Sequence, residues 1–212
     1  MAMTTLARRG LAAMVAVAVA ATSADAATAG STNRAIVFVK PHAVSTEACA
    51  MVKGCLEAAG CEVCEERKVT AEEIGDQGLI DQHYGTLAEL AMKYHPRELT
   101  LTEEKRAAFE GTFGVAWEDA PLFTNGEAQE KLGATGAELD ALWRDGTCLK
   151  LAPGTYVGRL TPEVFVVNGF YSAMREQYLA PGTCIQCYVI DFPEEKLSWE
   201  QFRNKVDLPC PP

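Results

Sequence analysis

Two periods of apolar residues alternate along this chain, and together they predict a mixed α/β fold. Residues 35–39 form a continuous apolar run, which is typical of a strand buried on both faces. Apolar residues then recur at helical spacing up to Ala59, and Gly60 supplies a C-terminal stop. A second strand is predicted at 61–69, so the chain opens as strand, helix and strand.

The stretch that leads up to Pro96 is predicted to be helical. Thr70 and Glu73 form a capping-box pattern at its start, although Gly75 and Gly78 interrupt the first helix. A second helix is predicted from four residues that share one face: Ile80, Tyr84, Leu87 and Ala91.

The pattern changes between about residues 97 and 159, where short helices and turns are predicted. Asn125-Gly126 indicates a turn, and Pro153-Gly154 indicates the centre of a hairpin. Thr135 and Glu138 form a capping box ahead of another short helix. We interpret this region as an inserted, mainly helical subdomain.

The pattern of the opening unit then resumes. A strand is predicted at 164–167, a helix at 170–178 and a strand at 184–192. Ser198 and Gln201 form a capping pattern for a last short helix.

Composition and charge narrow the class of protein. A chain of 212 residues can form one domain with a sizeable core. The net charge of −10 argues against general nucleic-acid binding, which requires a basic face. An acidic chain can still bind a phosphate ligand where a pocket is locally basic or a divalent metal screens the repulsion.

The first thirty residues have the order of a cleavable targeting signal. Arg8 and Arg9 precede the apolar run 11–21, and small residues follow up to Ala26. The run is shorter than the roughly 20 residues that a membrane-spanning helix needs. We predict a leader over 1–30 that directs a soluble mature protein, free of the membrane, to the secretory pathway or an organelle lumen such as a plastid. An alanine-rich tail is the alternative.

The most specific motif is Lys40-Pro41-His42-Ala43-Val44, at the end of the first predicted strand. With the strand, helix and strand around it, this motif resembles the opening of nucleoside diphosphate kinases, which carry Lys-Pro-Asp-Ala-Val there. The resemblance implies a split ferredoxin-like antiparallel sheet with helices, an α+β sandwich with a helical insertion, over residues 31–206. Residues 207–212 would form a tail.

The resemblance also implies residues that bind the nucleotide. Lys40 matches the lysine that contacts the phosphates, and Tyr84 of the His83-Tyr84 pair matches a tyrosine near them. Phe170 or Tyr171 would stack on the base. The alternatives are a surface lysine, a half-buried helix tyrosine and an ordinary core aromatic residue.

Arg203, in Trp199-Glu200-Gln201-Phe202-Arg203, matches an arginine that grips phosphate in the family. A solvated helix arginine is the alternative. The resemblance further implies Mg²⁺ as cofactor, bridging the phosphates, and nucleoside di- and triphosphates as partners. It leaves a homo-oligomer open.

The family transfers the terminal phosphate of a nucleoside triphosphate to a nucleoside diphosphate through a histidine in an Asn-x-x-His-Gly motif. The histidines of residues 1–212 are His42, His83 and His95, and none stands in that motif. We therefore expect residues 1–212 by themselves not to complete this covalent exchange. The alternative function is a non-catalytic nucleotide-binding or protein-interaction module.

Two cysteine pairs, Cys61-x-x-Cys64 and Cys184-x-x-Cys187, fall on predicted strands. Residues three apart on a strand point to opposite faces, so one strand does not readily present both sulfurs to a metal. By the resemblance these two strands are neighbours, which leaves a cross-strand disulfide open. Small buried thiols are the other reading.

Overall fold

The structure is a computed structural model that describes the backbone of residues 15–18 and 32–205 and the side chains of 32–202. Most of the predicted leader and the whole predicted tail, 207–212, lie outside the described residues, and both stay predictions. The described part of the chain is a mixed α+β protein with two four-stranded sheets.

The strands of the described residues are β1 Val15–Ala18, β2 Thr32–Val39, β3 Glu62–Thr70, β4 Leu122–Phe123, β5 Thr147–Ala152, β6 Thr155–Thr161, β7 Val164–Val167 and β8 Cys184–Pro193. The α-helices are α1 Thr46–Ala58, α2 Ala71–Asp76, α3 Leu79–Tyr84, α4 Thr86–Met92, α5 Glu103–Phe113, α6 Asn125–Leu132, α7 Gly136–Asp145, α8 Tyr171–Leu179 and α9 Trp199–Lys205. Short 3₁₀ turns lie at Pro41–Ala43 and Pro96–Glu98.

The chain divides into two compact units. The first consists of Met1–Ile74 and Ala180–Pro212, and the second of Gly75–Leu179. The second unit is wider than the insertion predicted at about 97–159. Helices α3, α4 and α8 join it because they pack on each other and on α6, α7 and β7.

The first unit contains an antiparallel sheet with the strand order β1-β2-β8-β3. Strand β8 lies between β2 and β3, and it pairs with all of β2 from Thr32 to Val39. Helix α1 connects β2 to β3, as the sequence predicted. A bulge between Val63 and Glu65 interrupts the β3–β8 ladder.

The second unit contains a mixed sheet with the order β4-β7-β6-β5, in which β4 and β7 are parallel. The strand predicted at 164–167 is β7, but it pairs with β6 and β4 rather than with the sheet of the first unit. The hairpin predicted around Pro153-Gly154 is confirmed, since β5 and β6 are antiparallel neighbours.

Local caps set several helix ends. The capping box of Thr135 and Glu138 is confirmed at the start of α7, and Ser198 and Gln201 exchange hydrogen bonds at the start of α9. The turn predicted at Asn125-Gly126 is wrong, because these residues begin helix α6. Thr124 caps that helix reciprocally with Glu127, and this local cap outweighs the turn tendency of an Asn-Gly pair.

The single helix predicted through Tyr84 and Leu87 is broken in two. Gly85 adopts φ 48° and ψ −123° between α3 and α4, a conformation that only glycine adopts without strain. Gly85 lines the same cleft as Met92 and the buried Ala88.

Within the first unit, one buried cluster lies on a single face of the sheet. Its strand residues are Ala35, Val37, Val39, Tyr188, Ile190 and Phe192, and α1 covers them with Val52 and Leu56. Ala43 and Phe202 belong to the same cluster. The core therefore reaches from the turn after β2 to helix α9.

The core of the second unit is aromatic. Phe109 packs against Phe113, Trp117 and Phe165 with ring centroids 4.8, 4.9 and 5.7 Å apart. A separate cluster contains Trp143, whose ring covers two glycines. A Cβ at Gly158 or at Gly169 would lie 2.6 Å from that ring, so both positions require glycine.

Among residues 32–205, no helix combines the length and the apolar character that crossing a membrane requires.

Candidate functional site

Lys40 directly follows β2, at the edge where the sheet ends. Its carbonyl accepts a hydrogen bond of 2.9 Å from the Ala43 backbone N–H, which tightens the turn that the Lys-Pro sequence begins. Pro41 occupies the first position of this turn, and Ala43 anchors it in the core. The side chain of Lys40 is partly exposed.

The charges of the first unit differ in how they are paired. Arg34, Lys53 and Arg67 each contact a carboxylate, namely Asp191, Glu66 and Glu73. Within the described residues, Lys40 has no carboxylate at ion-pair distance. Its ammonium is therefore available to an anionic ligand.

Lys40 has a basic neighbour at the same end of the sheet. Val39 is opposite Gln186 on β8, and Gln186 is opposite Lys68 on β3. Lys68 is exposed and, like Lys40, has no ion pair among the described residues. Sequence reasoning missed Lys68, because the register between β3 and β8 is a long-range property.

Arg203 lies on helix α9, whose backbone is described whereas the Arg203 side chain is not. The helix is fixed by aromatic packing: the Phe202 ring stacks on Phe192 with centroids 4.8 Å apart and an interplanar angle of 8°. Trp199 packs edge-on against Phe192 at 4.9 Å. Ala43 and Phe202 belong to one buried cluster. Lys40 is close in sequence to Ala43, and Arg203 directly follows Phe202.

The remaining predicted nucleotide-binding residues lie in the second unit. Tyr171 is fully buried, and its hydroxyl donates a hydrogen bond of 2.7 Å to Asp81. Tyr84 packs edge-on against Tyr171 at 5.9 Å and is half-buried. Burial raises the pKa of Tyr178, and the neighbouring Tyr84 raises it further.

Of the two aromatic residues predicted to stack on a base, Phe170 is the one with exposed surface. Its ring packs against Trp143 with centroids 5.8 Å apart and remains partly accessible. Tyr171 has no accessible ring face in this structure. Base stacking therefore stays a prediction for Phe170.

An ion pair that the sequence did not indicate joins α3 to α8. Arg175 Nε donates to Asp81 Oδ1 and Oδ2 at 2.8 and 3.0 Å, next to the Tyr171 hydroxyl. Desolvation by itself would raise the pKa of the Asp81 carboxyl, but the bonds from Arg175 and Tyr171 outweigh it and lower that pKa.

We expect Asp81→Asn to lower the free energy of unfolding of the second unit by about 1–2 kcal/mol at neutral pH, because one charged hydrogen-bond partner is lost. A carboxyl whose pKa is lower in the folded than in the unfolded protein stabilises the fold at pH values above the unfolded-state pKa. This stabilisation disappears as the pH falls through the folded-state pKa. The difference between wild type and variant should therefore shrink in acid.

Urea denaturation of both proteins between neutral pH and about pH 3 measures this difference. Asp76→Asn is the matched control, because Asp76 is exposed and has no ion pair among the described residues. A difference between Asp81→Asn and wild type that stayed constant with pH would contradict the role of the ion pair.

The seven cysteines of the described residues are free thiols. Cys184 is opposite Thr70 and Cys187 is opposite Arg67, whereas Cys64 sits in the bulge of β3. Burial raises the pKa of Cys61 to about 11. Burial is also the main reason that the pKa of Cys187 is raised to about 11. The sequence left two states open for Cys61, Cys64, Cys184 and Cys187, a cross-strand disulfide and free thiols. The structure has the free thiols.

The second unit has surface clefts. One, of about 500 Å³, is lined in part by Arg97 and Arg106. Arg97 donates to the carbonyls of Trp117 and Ala120, and Arg106 pairs with Glu118, so both guanidinium groups already have protein partners. Another, of about 350 Å³, runs along α3 and α4.

Within the described residues, no group of three or more His, Cys, Asp or Glu side chains is arranged to hold a metal ion. A Mg²⁺ ion carried by nucleotide phosphates needs few protein ligands, because it keeps waters and phosphate oxygens. The residues present are compatible with that arrangement, and Mg²⁺ stays a prediction.

No family model, no curated protein and no solved structure matches this chain.

Proposed function

We propose that the first unit is a split ferredoxin-like domain of the nucleoside diphosphate kinase type and that it binds the phosphates of nucleoside di- and triphosphates. Support for the fold comes from the strand–helix–strand unit of β2, α1 and β3, with β8 inserted antiparallel between the two strands. An arrangement of this kind is expected of split βαβ domains.

The observation that carries the function is the state of Lys40. It stands at the end of a central strand, on a turn anchored by Ala43, and has no carboxylate partner among the described residues. Helix α9 carries Arg203 and is held on the same buried cluster by Phe202. A lysine on an anchored turn and an arginine on a packed helix are suited to binding a phosphate chain, with Mg²⁺ neutralising the remaining charge.

We expect Lys40→Met to weaken the binding of Mg²⁺·ADP by about tenfold or more, because a phosphate–ammonium contact contributes roughly 1.5–3 kcal/mol. Isothermal titration calorimetry of the full chain measures the dissociation constant. Lys196→Met is the matched control, since it removes the same charge from an exposed position of the first unit and leaves both the motif and Lys68 unchanged.

Equal losses in the two lysine variants would indicate a general charge effect and would contradict a specific contact with Lys40. An absence of Mg²⁺-dependent heat in the wild type would instead favour the alternative function, a protein-interaction module that binds no nucleotide. The titration therefore distinguishes a general charge effect from an absence of nucleotide binding.

We propose further that residues 1–212 bind nucleotide without completing phosphate exchange. None of the three histidines of residues 1–212 stands in an Asn-x-x-His-Gly motif, and His42 is the one close to Lys40 in the sequence. Incubation with labelled ATP, followed by GDP, should yield neither labelled protein nor labelled GTP. Acid-labile label on the chain would contradict this proposal, and its loss in His42→Ala would identify the acceptor.

A further inference from the structure

One hydrogen bond of the second unit has sulfur as its acceptor. The buried hydroxyl of Ser172, in the first turn of α8, donates to the thioether of Met92 at the end of α4, with 3.6 Å between Oγ and Sγ. Within the described residues, this sulfur is the hydrogen-bond partner of that hydroxyl. The contact joins residues 80 positions apart and holds one side of the sulfur against α8.

The Met92 side chain is at the same time accessible from solvent. It is 40% exposed and lines the cleft along α3 and α4, whereas Ser172 is 3% exposed. A thioether sulfur has two lone pairs, and the hydrogen bond from a single hydroxyl uses one of them. We therefore expect a small solute in the cleft to reach the lone pair that Ser172 leaves free.

The two other methionines of the described residues are less accessible. Met51 is partly buried and packs against the core of the first unit. Met174 is partly buried against a cluster that contains the fully buried Tyr171. An oxidant must touch the sulfur in order to react, so Met92 is expected to react first of these three.

We propose that Met92 is a site of reversible oxidation, at which a peroxide forms one sulfoxide epimer in preference to the other. The free lone pair of the sulfur attacks one oxygen of hydrogen peroxide, so that an S–O bond forms and the O–O bond breaks. The hydroxide that leaves takes up the proton of the transferred oxygen, and the products are the sulfoxide and water. Sulfur loses two electrons and the peroxide gains them. The proposal does not depend on nucleotide binding.

The Ser172 hydroxyl determines which epimer forms. A sulfoxide sulfur is a stereocentre, and its configuration depends on which lone pair receives the oxygen. Because Ser172 covers one lone pair, the oxygen is added on the side of the cleft. The contact with Ser172 is then kept, so the fold is expected to survive the oxidation. Methionine sulfoxide reductases, each of which acts on one epimer, supply the reverse reaction.

Peptide mapping tests the rate of oxidation. Folded protein is treated briefly with hydrogen peroxide and digested with trypsin, which leaves Met51, Met92 and Met174 in separate peptides. The peptide 69–93 contains Met92 and no cysteine, so a gain of one oxygen there reports on the methionine. We expect Met92 to be oxidised about fivefold faster, or more, than Met51 and Met174. Equal rates would overturn the proposal.

Reduction by epimer-specific enzymes tests the role of Ser172. The oxidised protein is unfolded and digested, and the peptide 69–93 is incubated with one or the other type of methionine sulfoxide reductase. For protein oxidised in the folded state, one enzyme should reduce about four fifths or more of the Met92 sulfoxide. Wild-type protein oxidised in urea is the control, and there the two epimers should be close to equal, because unfolding removes the contact.

Two variants complete the experiment. Ser172→Ala, oxidised in the folded state, should give an epimer ratio close to that found in urea, because both lone pairs are then uncovered. Ser172→Thr, which keeps a hydroxyl at this position, should retain the preference of the wild type. Folded wild-type protein that yields the two epimers equally would overturn the proposal whether or not the variants fold. So would a folded Ser172→Ala protein with the epimer preference of the wild type.

Discussion

Replacing Asn168 by alanine is expected to lower the free energy of unfolding of the second unit by about 4 kcal/mol. Asn168 is fully buried, and its side chain joins separate parts of the unit. Its Oδ1 accepts from the Tyr156 N–H at 3.0 Å, and its Nδ2 donates to the carbonyls of Gly154 and Leu87 at 3.0 and 3.3 Å. Alanine removes all three hydrogen bonds from the interior of the unit.

The backbone of Asn168 adds to the loss. Its φ of 50° lies in the left-handed region, which asparagine tolerates better than alanine does. Asn168→Gly removes the side-chain hydrogen bonds but accepts this φ, so it should be less destabilising than alanine by about 1 kcal/mol. The pair of variants separates the hydrogen bonds from the backbone strain.

The three tryptophans report on the two units separately. Trp117 and Trp143 lie in the second unit and Trp199 in the first. Fluorine NMR of fluorotryptophan-labelled protein in urea therefore follows both units in one titration. We expect Asn168→Ala to shift the transitions of Trp117 and Trp143 to lower urea. A loss of stability below about 1 kcal/mol would contradict the role of Asn168.

The second large effect is expected for Phe202→Ala, at about 3–4 kcal/mol in the first unit. Phe202 is 1% exposed, stacks on Phe192 and touches the edge of Trp199. Alanine favours helix formation, so the loss would come from packing and not from helix propensity. Because Arg203 is the next residue of the same helix, nucleotide affinity should fall as well.

The Trp199 resonance measures this loss in the same urea titration. Glu200→Ala is the matched control, because it shortens an exposed side chain on the same helix. If Phe202→Ala left the Trp199 transition at the wild-type urea concentration, the packing of α9 described above would be wrong.

The sequence predicted β2, α1, β3 and β8 of the first unit well because the signals for these elements are local. Strand β1 was not predicted, since its residues lie in the apolar run that was assigned to the leader. A continuous apolar run produced β2, helical spacing ended by Gly60 produced α1, and the strand at 184–192 corresponds to β8. The helix caps predicted at Thr135 and Ser198 are also confirmed, since a cap depends on residues three positions apart.

The rest depended on long-range contacts that no local pattern contains. The Asp81–Arg175 pair joins residues 94 positions apart, and Asn168 contacts Leu87 across 81 positions. The strand at 164–167 was recognised as a strand, but its apolar residues carry no information about which sheet it joins. Lys68 was missed for the same reason.

Hydrogen exchange with and without Mg²⁺·ADP tests the central claim most directly, because it locates the nucleotide on the chain. The account predicts slower exchange of the backbone amides from Phe38 to Val44 and along α9, where Lys40 and Arg203 are placed. Binding that protects other segments while leaving these amides unchanged would contradict a phosphate site at the end of β2.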